Sequence, residues 1–314
     1  MSDTPGTAGP FVPERIAEWA YWIIEREAMR KRKAANKDPT RTVFSPDPIL
    51  AGTRWCNVRR MDDKVSIWLM KNWYPDPAIA HEMPAPQLMA AALMARMINR
   101  TETLAHITGG NPFSGWKYER VLKRMYEVKE SGTPVFTNAY IINGASGGPK
   151  IEQVLKAIDK CVRTRPFHYL DSSSMQKTAK HLHALPGIGG FMAGQVVADL
   201  RWVFRPDDDD CWLDRMVWAP PGPGSSRGMK YLLGLSSPND MAGRGSDLTE
   251  RQFLQFLPTL IFIARKHPEV GKVFRALGLE AHDIQNTLCE LGKYIRVKNG
   301  GHAKNSYPPK ASRS

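Results

Sequence analysis

Four stretches of this 314-residue chain combine residue types that could move protons or hold a phosphate. In Asp283-Ile-Gln-Asn-Thr-Leu-Cys-Glu-Leu-Gly-Lys-Tyr-Ile-Arg296, a helix would put Gln285, Cys289 and Lys293 on one face. Asn286, Glu290 and Lys293 would cluster at three- and four-residue spacing. Glu290 and Lys293 then read as an intrahelical ion pair or as an acid/base pair beside a substrate. The cluster Asn57, Arg59, Arg60, Asp62 and Asp63 is dense in groups that bind phosphate or manage protons. It reads equally as a salt-bridged helix start. In Pro221-Gly-Pro-Gly-Ser-Ser-Arg-Gly228, Ser225 and Ser226 offer hydroxyls and Arg227 a bidentate fork for phosphate, unless the stretch is a rigid linker. The acidic run at 207–210, which includes Asp209, and the nearby Asp214 form a solvated loop or supply an acid/base group.

These groups need a scaffold. The most informative part of it is Leu185-Pro-Gly-Ile-Gly-Gly190, a tight turn between two helical runs. Asp171-Ser-Ser-Ser174 offers N-cap oxygens upstream, and Met192, Val196, Val197 and Leu200 recur at helical spacing downstream. Gly187 and Gly189 permit backbone angles closed to other residues and leave room for a close neighbour. The free N–H groups opening the second helix, around Gly190, can then face an anion such as one DNA phosphate. The segment resembles the helix-hairpin-helix of base-excision DNA glycosylases. That resemblance implies a catalytic aspartate near Asp209, with Asp214 as the alternative. It also puts Phe191 where bifunctional members carry a Schiff-base lysine, which argues against lyase chemistry.

Helices are expected over Pro13 to about Ala35 (with a basic far end read as a solvated terminus or a phosphate-contacting ridge), 86–107, 116–131, 150–165, 171–184, 249–266 and 280–297. Strand candidates are few and no repeat is visible, so the fold class is mostly α. Residues 1–12 are expected to be disordered, 13–297 to form one helical domain of one or two lobes, and 298–314 to form a basic flexible tail. The 44 Lys and Arg against 31 Asp and Glu, a net charge of +13, favour a polyanionic partner. No window is apolar enough for a membrane span, and no secretory signal opens the chain. Four scattered cysteines without a C-x-x-C pair argue against a zinc or iron–sulfur site and fit a reducing cytoplasm. The glycine-rich Asn143-Gly-Ala-Ser-Gly-Gly-Pro-Lys150 does not match G-x-x-x-x-G-K-[ST], which is absent from the sequence.

Trp22-Ile-Ile-Glu-Arg-Glu-Ala28, Trp55-Cys-Asn-Val-Arg-Arg-Met-Asp-Asp63, the hairpin, the 221–228 stretch and Leu288-Cys-Glu-Leu-Gly-Lys-Tyr294 together resemble a known family. It comprises the glycosylase-related helical proteins of bacteriophage thymine hypermodification. These include the α-glutamyl/putrescinyl-thymine pyrophosphorylases, viewed as amino acid:DNA transferases, and the helical domain associated with 5-hydroxymethyluracil DNA kinases. The resemblance covers about residues 15–297. It implies a transferase that attaches an amino acid such as glycine, or another amine, to 5-phosphomethyl-deoxyuridine with loss of phosphate. The alternatives are a non-catalytic DNA-binding module and a monofunctional glycosylase. Partners implied are double-stranded DNA carrying a modified thymine, the small amine, and a separate P-loop 5-hmdU kinase. No cofactor or metal is expected. Arg59, Arg60, Ser225, Ser226 and Arg227, with Asn57 and Lys293, are expected at the phosphate or substrate. Asp209, Asp214, Asp63 or Glu290 is expected to serve as the base, and Gly187, Gly189 and Gly190 to dock DNA.

Overall fold

The computed structural model describes residues 10–74, 85–108, 117–137, 148–163, 173–185, 187–204, 208–242 and 248–302. They are mostly α-helical, as expected. The chain divides into two compact units. Unit 1 joins Met1–Asp62 to Met216–Ser314, and unit 2 is the intervening Asp63–Arg215. Residues 143–147 of the glycine-rich stretch, Pro186 of the hairpin, Asp207 of the acidic run and the tail beyond 302 lie outside the described residues.

Unit 1 begins with α1 (Pro13–Ala35). Proline occupies its first turn with Glu14, and Arg32 and Lys33 close it, matching the helix dipole at both ends. Trp19, Trp22 and Ile23 are its buried face. Packing begins before residue 13: Phe11 is buried, and Val12 N–H donates to the Leu232 carbonyl. After the short α2 (Pro48–Gly52) and a 3₁₀ turn at Arg60–Asp62, the chain leaves for unit 2.

Unit 2 contains α3 (Lys64–Asn72), α4 (Ala85–Ile98), α5 (Thr101–Thr108), α6 (Tyr118–Glu130), α7 (Lys150–Arg163), α8 (Met175–His183) and α9 (Gly190–Val203). The helix expected over 86–107 is two helices, because Asn99 stands at φ 53° between them. Asparagine tolerates this left-handed angle, and its side chain donates to Thr137 Oγ1 at 2.9 Å. Around the hairpin, Gly187 has a positive φ of 82°, which glycine accommodates. Gly189 does not: at φ −75° and ψ 158° it is the extended N-cap of α9. Helix α9 is buried from Met192 to Arg201, which makes it a core helix of unit 2. Arg96 and Asp199 pair inside this unit; both are nearly inaccessible, and Arg96 Nη2 also donates to Ser66 Oγ at 2.7 Å.

The chain returns to unit 1 through α10 (Pro223–Leu232), α11 (Glu250–Lys266), α12 (Pro268–Leu277) and α13 (Ala281–Lys298). Helix α11 opens with a Thr249–Gln252 capping box, and α12 ends on Gly278 in the left-handed region, so the sequence states both boundaries. Helix α10 corrects the reading of 221–228 as a loop. Pro223 is its N1 residue, and its glycines allow α10 to lie against α13. A Cβ on Gly224 would overlap Cys289 Sγ, and one on Gly228 would fall on the Leu288 carbonyl oxygen. A thiol can swing aside, whereas a helix carbonyl cannot. Gly228→Ala is therefore expected to destabilise by about 3 kcal/mol, and Gly224→Ala by less, both read from urea unfolding followed by tryptophan fluorescence.

Candidate active site

Residues 54–60 have no regular backbone ladder, and α13 supplies partners for them instead. Lys293 Nζ donates to the Arg54 carbonyl at 3.0 Å. Cys56 N–H donates to Glu290 Oε2 at 3.2 Å, and Asn286 Nδ2 donates to the Asn57 carbonyl at 3.1 Å. Arg60 N–H donates to Asp283 Oδ1 at 2.7 Å. Positions 283, 286, 290 and 293 recur at helical spacing, so one polar stripe of α13 fixes a run of backbone antiparallel to it. The next face of α13 serves α10: Gln285 Nε2 donates to Ser225 Oγ at 2.9 Å, and Cys289 lies under Gly224.

At the middle of the stripe, Lys293 Nζ stands 2.6 Å from Glu290 Oε2 and 4.8 Å from the centre of the Trp55 ring. Glu290 is 5% exposed whereas the Lys293 side chain is 22% exposed, so the carboxylate is buried while the ammonium reaches the surface. Arg26 on α1 holds the strand from its other side. Its Nε donates to the Cys56 carbonyl at 2.9 Å and its Nη2 to Asn57 Oδ1 at 2.5 Å. Burial lowers the Arg26 pKa, and the nearby Cys56 and Glu290 oppose that shift. Asn57 Nδ2 donates onward to the Asp62 carbonyl at 2.6 Å, and Arg30 closes the group by pairing with Glu27 and Asp62.

Two thiols complete the constellation. Cys56 is open to solvent, yet desolvation by the surrounding protein, with Glu290 beside it, drives its pKa well upward. Desolvation likewise raises Cys289 to about 11, with Glu290 adding to the rise and Lys293, Arg227 and Arg296 opposing it. Both thiols are protonated at neutral pH, so neither is poised as a thiolate nucleophile.

The other expected site residues sort by unit. Arg59 and Arg60 lie beside Asp283 and favour its charged form. Arg227 is half-buried near Cys289. Ser225 is fully buried and its hydroxyl is fully used: it donates to the Gly222 carbonyl and accepts from Gly222 N–H and from Gln285. That leaves it no capacity for a phosphate. Ser226 is buried as well. Asp63 belongs to unit 2, where it caps α3 by accepting from Val65 and Ser66 N–H and stands 3.5 Å from Arg96. Asp214 caps α8, accepting from Met175 and Gln176 N–H and from Ser174 Oγ. Asp209 sits on an exposed turn of the same unit, and Gly187, Gly189 and Gly190 are exposed at its hairpin. Arg26 and Asp283 were not expected at the site. The signal that could have revealed Asp283 is the 283–286–290–293 spacing itself.

A family model described as the helical domain of 5-hmdU DNA kinase matches residues 14–304. The chain belongs to this family. It is 24% identical over 210 residues to the 5-hmdU DNA kinase of Bacillus phage SP10, a match covering 60% of this chain and 32% of that protein. The chain thus spans about a third of the length of this relative. No solved structure matches. The family match takes in both the 54–60 strand and α13, so all of the Glu290 constellation lies inside the kinase-associated helical region.

In this member of the helical family, Asp283 gives the site a pH signature. Complete burial pushes its carboxyl up to about 6, against the Arg60 and Glu280 N–H bonds and the nearby guanidinium groups, which act in the opposite direction. A carboxyl whose folded pKa exceeds its unfolded value of 3.8 favours the folded state at low pH. That stabilisation fades as pH rises through about 6. Between pH 7 and pH 5 the wild type should therefore gain roughly 1.4 kcal/mol over Asp283→Asn. Parallel urea titrations at the two pH values check this, and parallel slopes for both proteins would refute it. Among the described residues no group of three or more His, Cys, Asp or Glu could hold a metal, and no helix is long and apolar enough to cross a membrane.

Proposed function

We propose that this chain transfers an amino acid or small amine to 5-phosphomethyl-deoxyuridine in DNA, releasing phosphate. The observation that carries the reading is the Glu290–Lys293 pair, a buried carboxylate against a partly exposed ammonium, with Arg26 close to Glu290, Arg59 and Arg60 close to Asp283, and Arg227 and Arg296 close to Cys289 on the same helix. Such a site needs an anion that can leave and a proton that must move. The family's association with 5-hmdU DNA kinase supplies the substrate class, because phosphorylated hydroxymethyluracil is what such a kinase would leave behind. The Glu290–Lys293 pair suits the proton movement of a transfer step that follows phosphorylation.

The step balances without a cofactor. Glu290 takes a proton from the ammonium of the incoming amine. The freed nitrogen forms a bond to the 5-methylene carbon as its bond to phosphate oxygen breaks, and the proton passes to the departing phosphate. Arg59, Arg60 and Arg227 offset the charge of that phosphate, and Lys293, 2.6 Å from Glu290 Oε2, orients the carboxylate. The base must leave the duplex stack to reach such a site. The hairpin of unit 2, a helix–turn–helix with exposed Gly187, Gly189 and Gly190, is suited to hold backbone phosphate as glycosylase hairpins do.

The test is incubation of the protein with 5-phosphomethyl-uracil duplex and radiolabelled glycine, then with a panel of other amines, followed by nucleoside analysis. Label in the nucleoside fraction with equimolar phosphate release supports the reading. DNA binding without transfer of any amine would leave a non-catalytic module. Abasic sites in uracil or mismatch DNA would point to a glycosylase, with Asp209 as its acid.

A further inference from the structure

The cations of α1 do not share one environment. Arg26, Arg30 and Arg32 turn inward: Arg26 to the Cys56 carbonyl, Arg30 to Glu27 and Asp62, and Arg32 to the Phe44 carbonyl and Glu25. Lys31, 3.7 Å from Glu27 Oε1 but with a side chain 65% exposed, and Lys33 present their ammonium ends to solvent, and Lys37 and Arg41 continue the exposed run beyond the helix. Through residues 31–43 the one acid is Asp38, whose carboxylate is taken up by Thr40 N–H and Oγ1. Arg41 is steadied by the Val43 carbonyl and by the Phe44 ring. At 1.5 Å per residue, α1 carries this run outward from Arg26 by about 10 Å at Lys33.

The charge balance of the two units points the same way. Unit 1 has 25 Lys and Arg against 15 Asp and Glu, whereas unit 2 has 19 against 16. Ten of the thirteen net positive charges therefore belong to the unit that holds the Glu290 constellation.

We propose that Lys31, Lys33, Lys37 and Arg41 form a track for the phosphate backbone of duplex DNA, running outward from the site and flanking the substrate base. This rests on the reading of DNA as the substrate. Duplex DNA presents one charge per about 1.7 Å of axis, so a run of this length meets several phosphates at once. Four successive outward cations with one self-satisfied acid complement such a polymer. Contacts of this kind position the duplex and carry no base preference.

The experiment is fluorescence anisotropy of an unmodified duplex, without amine, over a series of salt concentrations. Replacing Lys31, Lys33, Lys37 and Arg41 together by Gln should reduce the log–log salt slope by about 3 to 4. Replacing Arg265, Lys266, Lys272 and Arg275 by Gln removes the same charge elsewhere in unit 1 and should leave the slope as in the wild type. An unchanged slope in the first variant, or an equal fall in the second, overturns the track. Binding is read without turnover, so failure of the transfer assay leaves this result standing. An unchanged slope beside intact label transfer sinks the track alone.

Discussion

Replacing Glu290 by Gln is expected to lower amine transfer by about 10²- to 10⁴-fold, the usual weight of a positioned proton acceptor. The substitution keeps the shape of the side chain and an oxygen for Cys56 N–H, so it removes charge more than structure. Duplex affinity should hardly change, because Glu290 is 5% exposed. The loss should appear in kcat rather than KM, since the proton is moved only in the reacting complex. Single-turnover label transfer at saturating DNA and amine measures it. Activity within a few-fold of wild type would remove Glu290 from the chemistry and leave it as the partner that fixes Lys293 and the 54–60 strand.

The largest stability effect is expected from the other unit. Asp199→Ala leaves Arg96 buried with Ser66 Oγ and the more distant Asp63, and uncompensated buried charge costs about 3–5 kcal/mol. The paired replacement Arg96→Met with Asp199→Leu should recover most of that, because burying two apolar groups of similar volume carries no charge-desolvation cost. Urea midpoints of the two variants test both statements. A single-variant loss near the ~0.5 kcal/mol of an ordinary surface change would show that the pair is not the clamp its burial implies.

How much of this could be read from the residues follows from the range of each interaction. Local signals were legible. Pro13 and Pro268 open helices, the capping box at Thr249 starts α11, and Glu290 and Lys293 meet because both lie on α13. Asn57 was likewise picked out by residue type, and it lies within this constellation. Long-range partnerships were not legible. Asp63 and Asp214 look like free acids until the α3 and α8 amides they cap are in view. Arg26 looked like one more cation of a basic helix end, but its partners are the carbonyl of Cys56 and the side chain of Asn57. Composition misled at α10: Pro-Gly-Pro-Gly reads as a loop, while here proline starts a helix and glycine lets it touch another. The same close fit used up the Ser225 hydroxyl that had been expected at a phosphate.

Unit 1 is built from the two ends of the sequence, with unit 2 lying between Asp62 and Met216. The site shares that division: Cys56 meets Glu290 across 234 positions, and Arg60 meets Asp283 across 223. During synthesis, residues 54–60 emerge early and must wait for α13, with only backbone polar groups and an unfinished core to show for themselves. Unit 2 is continuous and can fold in the interval, as domains generally do on the ribosome. Contacts of such long sequence separation also form slowly, because the loop they close must be ordered first. Ribosome-associated chains ending before residue 281 should thus lack the polar constellation altogether. The polar constellation would form only once α13 has emerged.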